Sequence, residues 1–158
     1  MQITLITVGT LKEDYLRRAV QEYEKRISAY AGIEIVELKE ERIPDEDDPS
    51  RIAAALKAEG KRILDTIPRG AYKIALCVEG KQFSSEELAR TVGDAADTTG
   101  KLALIIGSSH GLDPAVKAAC DLRLSVSRLT FPHQLMRVIL TEALYRSMTI
   151  LAGKRYHK

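Results

Sequence analysis

At 158 residues, with 45% hydrophobic and 29% charged side chains, the chain has the make-up of a globular domain and is too apolar for intrinsic disorder. The opening MQITLITVGTLKED has neither the basic leader nor the cleavage site of a signal peptide, and no segment approaches the roughly 20 apolar residues of a membrane span, so a cytoplasmic protein is expected. The net charge of +2 is unevenly spread: from Leu122 to Lys158 seven basic residues face one acid, Glu142, which leaves +6 there and −4 on the rest. Such a basic quarter fits a polyanionic partner such as RNA, and it equally fits a solvated helix face.

In chain order, QITLITV reads as a strand, and Lys12 to Ala29 as a helix with Leu16, Ala19, Val20, Tyr23 and Ile27 on one stripe. IEIVEL (33–38) alternates with acids and predicts a strand with one wet face. The acidic stretch Lys39 to Pro49, with two prolines, is a loop. Ser50 to Ile67 follows as a helix, and YKIALCV (72–78) as an apolar strand expected near the sheet centre. Ser84 opens a helix with a capping box, since Glu87 lies three residues on. LALIIG (102–107) is a second buried strand. Asp113-Pro114 caps a short helix, LRLSV (122–126) is the last strand, and Phe131 to Ala152 is the last helix, stopped by Gly153.

Strand–helix alternation without linker or repeat predicts one α/β domain over 1–158, with a mostly parallel sheet covered by helices on both faces. In the last helix Met136, Ile139, Leu140, Ala143, Leu144, Ile150 and Leu151 form one broad apolar face, and Leu135, Val138 and Tyr145 add another; Arg137, Thr141, Glu142 and Arg146 interrupt them. A helix apolar over so much of its circumference needs two covering surfaces, which points to a homodimer.

Cys77 and Cys120 sit in apolar contexts and read as small hydrophobes rather than a redox pair. His110, His133 and His157 show no metal-ligand spacing, so no metal is expected. There is no G-x-G-x-x-G turn after the first strand, no phosphate loop of the G-x-x-x-x-G-K type and no nucleophile elbow. The candidate ligand loops are VEGKQFSS, GSSHGLDP and SRLTFPHQ, which leave the carboxyl ends of the last three strands, where open α/β sheets bind ligands.

ITLITVGTLKEDY, the L-x-x-x-GK of Leu76 to Lys81, IIGSSHGL and above all S-x-S-x-LTFPHQLMRVILTEALYR…YHK resemble the RlmH-type SPOUT methyltransferases over essentially the whole chain. That resemblance implies an α/β knot, with a C-terminal segment threaded into a trefoil, and a homodimer. It implies transfer of a methyl group from S-adenosyl-L-methionine to N3 of a pseudouridine in 23S ribosomal RNA, with the large-subunit rRNA or the assembled 70S ribosome as partner. The cofactor positions implied are Leu76, Gly107, Val126, Ser127, Arg128, Leu129, Thr130 and Phe131. Where the family commonly has a second glycine this chain has Ser108, a residue less free to adopt positive φ.

Methylating an imide nitrogen requires loss of its proton. The basic tail of Arg155, Tyr156 and His157 is placed beside the substrate, with His157 a candidate to accept the proton and Tyr156 to stack on or hydrogen-bond the base, while Arg146 of the last helix is a candidate to steady the developing charge. Arg128, Arg137, Arg155 and Lys158 are candidate RNA contacts, the first two to phosphates, and His133 reads as structural. The acidic loop from Glu40 to Asp48 is expected to stay clear of RNA. Two other readings remain beside this one: a transfer-RNA methyltransferase of the same fold, and an RNA- or nucleotide-binding α/β module without catalysis.

Overall fold

A computed structural model describes residues 1–156; the tail residues His157 and Lys158 lie outside the described residues. Five strands alternate with five helices: β1 (Gln2–Val8), α1 (Asp14–Ile27), β2 (Gly32–Leu38), α2 (Pro49–Thr66), β3 (Tyr72–Gln82), α3 (Ser85–Thr98), β4 (Lys101–Ile106), α4 (Pro114–Ala119), β5 (Leu122–Ser125) and α5 (His133–Leu151). The predicted elements are all present, with ends shifted by a few residues.

All strand pairs are parallel, in the order β2-β1-β4-β3-β5. The central strand is therefore β4 rather than β3. Burial explains the difference: β4 is buried from Leu102 to Ile106, whereas β3 is buried only at Ile74 and Ala75. Alternate side chains feed two cores. Ile3, Leu5, Leu102 and Leu104 meet α3 and α5, while Ile6, Val8 and Ile105 meet Ile63 of α2 and Val116 of α4. Apolar residues on both strand faces are what a parallel sheet covered on both sides requires.

Local signals hold where they span a few residues. Ser84 accepts from the Glu87 amide while Glu87 accepts from the Ser84 amide, completing the capping box. Asp113 accepts from the Ala115 amide at 2.7 Å and Pro114 opens α4. Gly153 adopts φ +65° just beyond α5.

Beyond residue 78, β3 continues to Gln82. Leu76 and then Lys81 both oppose Leu124, so residues 77–80 bulge out of the ladder. Gly80 allows this, because a Cβ there would stand 2.6 Å from the Leu124 carbonyl carbon.

The buried face of α5 differs from the expected one. Arg137, Leu140, Thr141, Leu144, Ser147 and Met148 are buried, whereas Leu135 is exposed and Met136, Ile139 and Ala143 are half-buried. Hydroxyls make this possible by donating within the helix, Thr141 to the Arg137 carbonyl at 2.9 Å and Ser147 to the Ala143 carbonyl at 2.8 Å. Apolar side chains on the other flanks are left without full cover in a single chain. Among the described residues no helix is long and apolar enough to cross a membrane.

Candidate functional site

The loops after β3, β4 and β5 converge at the carboxyl edge of the sheet and enclose a cavity of about 750 Å³. It is lined by residues 76–79, 106–112, 124–127 and 129–133, with Lys117 and Met136 at its borders. This volume suits a nucleoside-sized ligand. The walls are largely apolar, from Leu76, Val78, Ile106, Leu124, Leu129, Phe131 and Met136, so polar recognition falls mainly to the backbone.

Backbone geometry follows from small residues. A Cβ at Gly107 would stand 2.1 Å from the Gly111 carbonyl oxygen, so only glycine fits. Gly111 sits at φ +93° and its amide donates to the Ser108 carbonyl at 2.9 Å, closing a tight turn. Ser108 itself lies outside the left-handed region, since no non-glycine residue among those described has positive φ. The backbone at this position therefore does not require glycine's freedom to adopt positive φ. In the third loop the Ser125 hydroxyl donates to the Ser127 carbonyl and the Ser127 hydroxyl accepts from the Leu129 amide, both at 3.0 Å.

The lining carries one carboxylate and one ammonium, Glu79 and Lys117, which pair with each other. Lys117 donates to Glu79 at 2.5 Å and holds its carboxyl below the usual range. Burial pushes the Cys77 thiol up, with Glu79 adding to the shift. Burial also lowers His133, aided by Arg137 and Lys12 and opposed by Glu40, so its imidazole is neutral at pH 7.

Seven of the eight expected cofactor positions, Leu76, Gly107, Val126, Ser127, Leu129, Thr130 and Phe131, are brought together around this cavity. Arg128 is exposed and takes no part in the lining. Cys77, Glu79, the run Ser109 to Leu112, Pro132, His133 and Met136 also line it and were not singled out as ligand positions. Their loops were recognisable from strand-end placement and glycine content. Which side chains turn inward was not.

Of the expected catalytic residues, Tyr156 and Arg146 lie away from this cavity in the chain's own fold, and His157 lies outside the described residues. The cavity meets the first turn of α5, whereas Arg146 is 13 positions beyond His133, roughly 20 Å along the helix. There the Tyr156 hydroxyl donates to Glu142 at 3.1 Å, its ring meets Tyr145 edge-on at 4.8 Å, and the Arg146 guanidinium lies 5.0 Å from the Tyr156 ring centroid. Burial, with hydrogen bonds to Tyr23 and Glu142, pushes the Tyr156 phenol up to about 12. It is therefore a donor at neutral pH and not a base. Arg155 is exposed.

Arg137 corrects an expectation. Rather than contacting phosphate, it is 1% exposed, and its guanidinium donates to Glu37 at 2.6 Å and to the carbonyls of Val8 and Gly9 at 3.0 and 2.7 Å. Burial acts to lower its pKa and Glu37 opposes this. A side chain spent on internal acceptors has no fork left for RNA.

Comparison with known proteins fits this geometry. Residues 1–157 match a family described as "Predicted SPOUT methyltransferase". The chain is 48% identical to the ribosomal RNA large subunit methyltransferase H of Bifidobacterium adolescentis and 47% identical to that of Bacillus pumilus, in both cases over 100% of each chain. The relative of that name from Clostridioides difficile is 45% identical over the same full coverage. Among solved structures, a probable methylase family protein from Haemophilus influenzae Rd KW20 superposes with a TM-score of 0.55 over 99% of this chain and 70% of that one; at 13% identity this likeness concerns the fold alone. The chain belongs to the SPOUT methyltransferase family. It is a methyltransferase, and its reaction requires a methyl donor.

Proposed function

We propose that the protein transfers the methyl group of S-adenosyl-L-methionine to N3 of a pseudouridine in 23S ribosomal RNA, acting in the cytoplasm as a homodimer on the large subunit or the assembled ribosome. The observation that carries the donor assignment is the strand-end cavity, in which Gly107 and Gly111 bring backbone within reach of a ligand and apolar side chains flank it. Leu76, Val126, Leu129 and Phe131 would sandwich an adenine, while main-chain groups of residues 107–112 and 126–131 read its polar edge and the sugar. When bound there, the donor supplies an electrophilic sulfonium methyl. The curated relatives named for large-subunit ribosomal RNA, and the basic C-terminal quarter, support the substrate class.

The tail residues and Arg146 of α5 perform the remaining tasks in this reading. His157 takes the proton from the imide nitrogen, Tyr156 donates a hydrogen bond to the base, and Arg146 stabilises the charge that develops. Since Tyr156 and Arg146 stand near the far end of α5 from their own cavity, they serve the cavity of a second copy whose α5 runs antiparallel. Exposed apolar side chains around the cavity mouth, Val78 at 64%, Leu129 at 71% and Leu135 at 37%, favour such a partner. The whole chain then acts as one α/β-knot unit. Packing of residues 126–132 beside both the 77–79 and 106–112 segments is the placement that a threaded C-terminal segment would have.

The test is methyl transfer from labelled donor to purified ribosomes, with the modified base located by mass spectrometry and transfer RNA as a control. Label on a large-subunit pseudouridine is expected; label on transfer RNA alone overturns the substrate. Mixing Gly107→Ala protein with Tyr156→Ala protein tests the shared site. Recovery of part of the activity is expected, and two variants that stay inactive together place the tail's work within one chain.

A further inference from the structure

We propose that Glu59 is a positioning residue for the donor cavity, acting through Ser108. This deepens the reading above and rests on the cavity being the donor site. Glu59 lies on α2, outside the lining, yet is 3% exposed and uses both carboxylate oxygens as acceptors. Oε2 accepts from the Ser108 hydroxyl and Oε1 from the Glu41 amide, each at 2.9 Å. A buried carboxylate is tolerated only when bonded in this way, and removing it strands both donors.

The neighbouring residue reinforces the contact. A Cβ at Gly60 would stand 2.8 Å from the Asp113 Cβ, so α2 approaches the far end of the same loop as closely as glycine permits. Glu59 and Gly60 thus clamp the 107–113 turn at both ends. On its other side Glu59 holds the acidic loop, whose Glu41 pairs with Arg62 at 2.6 Å and whose Glu46 lies 3.9 Å from His110 on the cavity wall. The family's second glycine could not make this bond. Serine at 108 adds a hydroxyl that ties the cavity turn to α2, so Ser108 orients backbone for the ligand instead of contacting it with its own side chain.

Calorimetry with S-adenosylmethionine on the full chain, together with kcat and KM on ribosomes, tests this. Glu59→Ala and Ser108→Ala are each expected to raise the donor Kd about tenfold. The double variant should be no worse than the poorer single, because the only contact that Ser108→Ala removes, the bond to Glu59, is already lost in Glu59→Ala. Glu59→Gln should stay within about threefold of the parent Kd, since its amide accepts from Glu41 and donates to the Ser108 oxygen. The kcat at saturating donor should hold within about twofold while KM rises, a split that general loosening would not give. Folded Glu59→Ala that binds like the parent, or losses that simply add, overturn the inference alone. If Glu59→Ala does not fold, Ser108→Ala and Glu59→Gln decide by the same criteria. A parent protein that takes up no donor overturns the reading of the cavity itself.

Discussion

The guanidinium of Arg137 and the carboxylate of Glu37, 100 residues apart in the chain, meet at 2.6 Å where α5 begins to cross the carboxyl ends of β1 and β2. The same guanidinium caps the carbonyls of Val8 and Gly9, and Glu37 also accepts from the Leu11 amide at 3.3 Å. One side chain thereby fastens the last helix to the turn after the first strand. Arg137→Leu would leave two buried carbonyls without this donor and Glu37 without its charged partner, and should cost about 2–5 kcal/mol, mostly from the stranded carbonyls. Glu37→Gln, at a side chain 38% exposed, should cost less than about 2 kcal/mol. Urea denaturation of both variants measures this. A near-neutral Arg137→Leu would show that the network does not support the fold.

Gly107 and Gly100 separate a steric demand from a conformational one. At Gly107 a Cβ would overlap the Gly111 carbonyl oxygen at 2.1 Å, and neither backbone can yield without opening the cavity turn. At Gly100, φ is +65° but nothing lies within 4 Å. Gly107→Ala should therefore weaken donor binding by at least about tenfold in a chain that still folds. Gly100→Ala should cost roughly 1 kcal/mol of stability and leave the donor affinity unchanged. Calorimetry and thermal melts on the same two proteins distinguish the effects. Equal donor affinities would mean that the turn adapts.

Short-range chemistry was readable in the sequence because its partners lie within a turn of one another. Ser84 with Glu87, and Asp113 with Ala115, needed no knowledge of the fold. The clustering of the three ligand loops followed from where parallel strands end, whereas the strand order did not follow from the sequence: β3 read as the central strand and β4 holds that place. The contacts of Arg137 with Glu37 and of Glu59 with Ser108 span 100 and 49 positions, and nothing local marks either glutamate. Arg137 looked like a phosphate ligand because charge is visible in a sequence and burial is not. The separation of Tyr156 from the cavity was hidden for a related reason. LTFPHQ and Tyr156 are read together in the sequence, but they stand at opposite ends of the 19-residue α5.

His133 gives the site a pH dependence of definite sign. Burial lowers its pKa from the ordinary 6.5, so the neutral ring is the form that the fold accommodates. The unfolded chain binds more protons than the folded one in that window, and stability rises with pH. This contribution is fully present above pH 6.5 and is lost as pH falls through the lowered folded value. The unfolding free energy of the parent should thus drop between about pH 7 and pH 5 more steeply than that of His133→Gln. The difference between the two curves isolates His133 from the other histidines. Parallel curves would mean that the ring titrates as it does in water.

Arg128 is the candidate phosphate contact that stays exposed where Arg137 is buried, and the two arginines make opposite predictions about salt. Each cation that neutralises a phosphate releases condensed counterion, and the logarithm of the binding constant then falls linearly with the logarithm of salt concentration. Removing one such contact lowers the steepness by about one, whatever the RNA sequence. Arg128→Ala should accordingly bind a large-subunit RNA fragment more weakly at low salt and with a slope shallower by roughly one. A stability-matched variant of Arg137 should keep the parental slope, because that side chain donates to Glu37, Val8 and Gly9 and not to the solvent. Filter binding across a salt series reads both slopes directly. A shallower slope for the Arg137 variant with none for Arg128→Ala would reverse the assignment and require that α5 lift from the sheet when RNA docks.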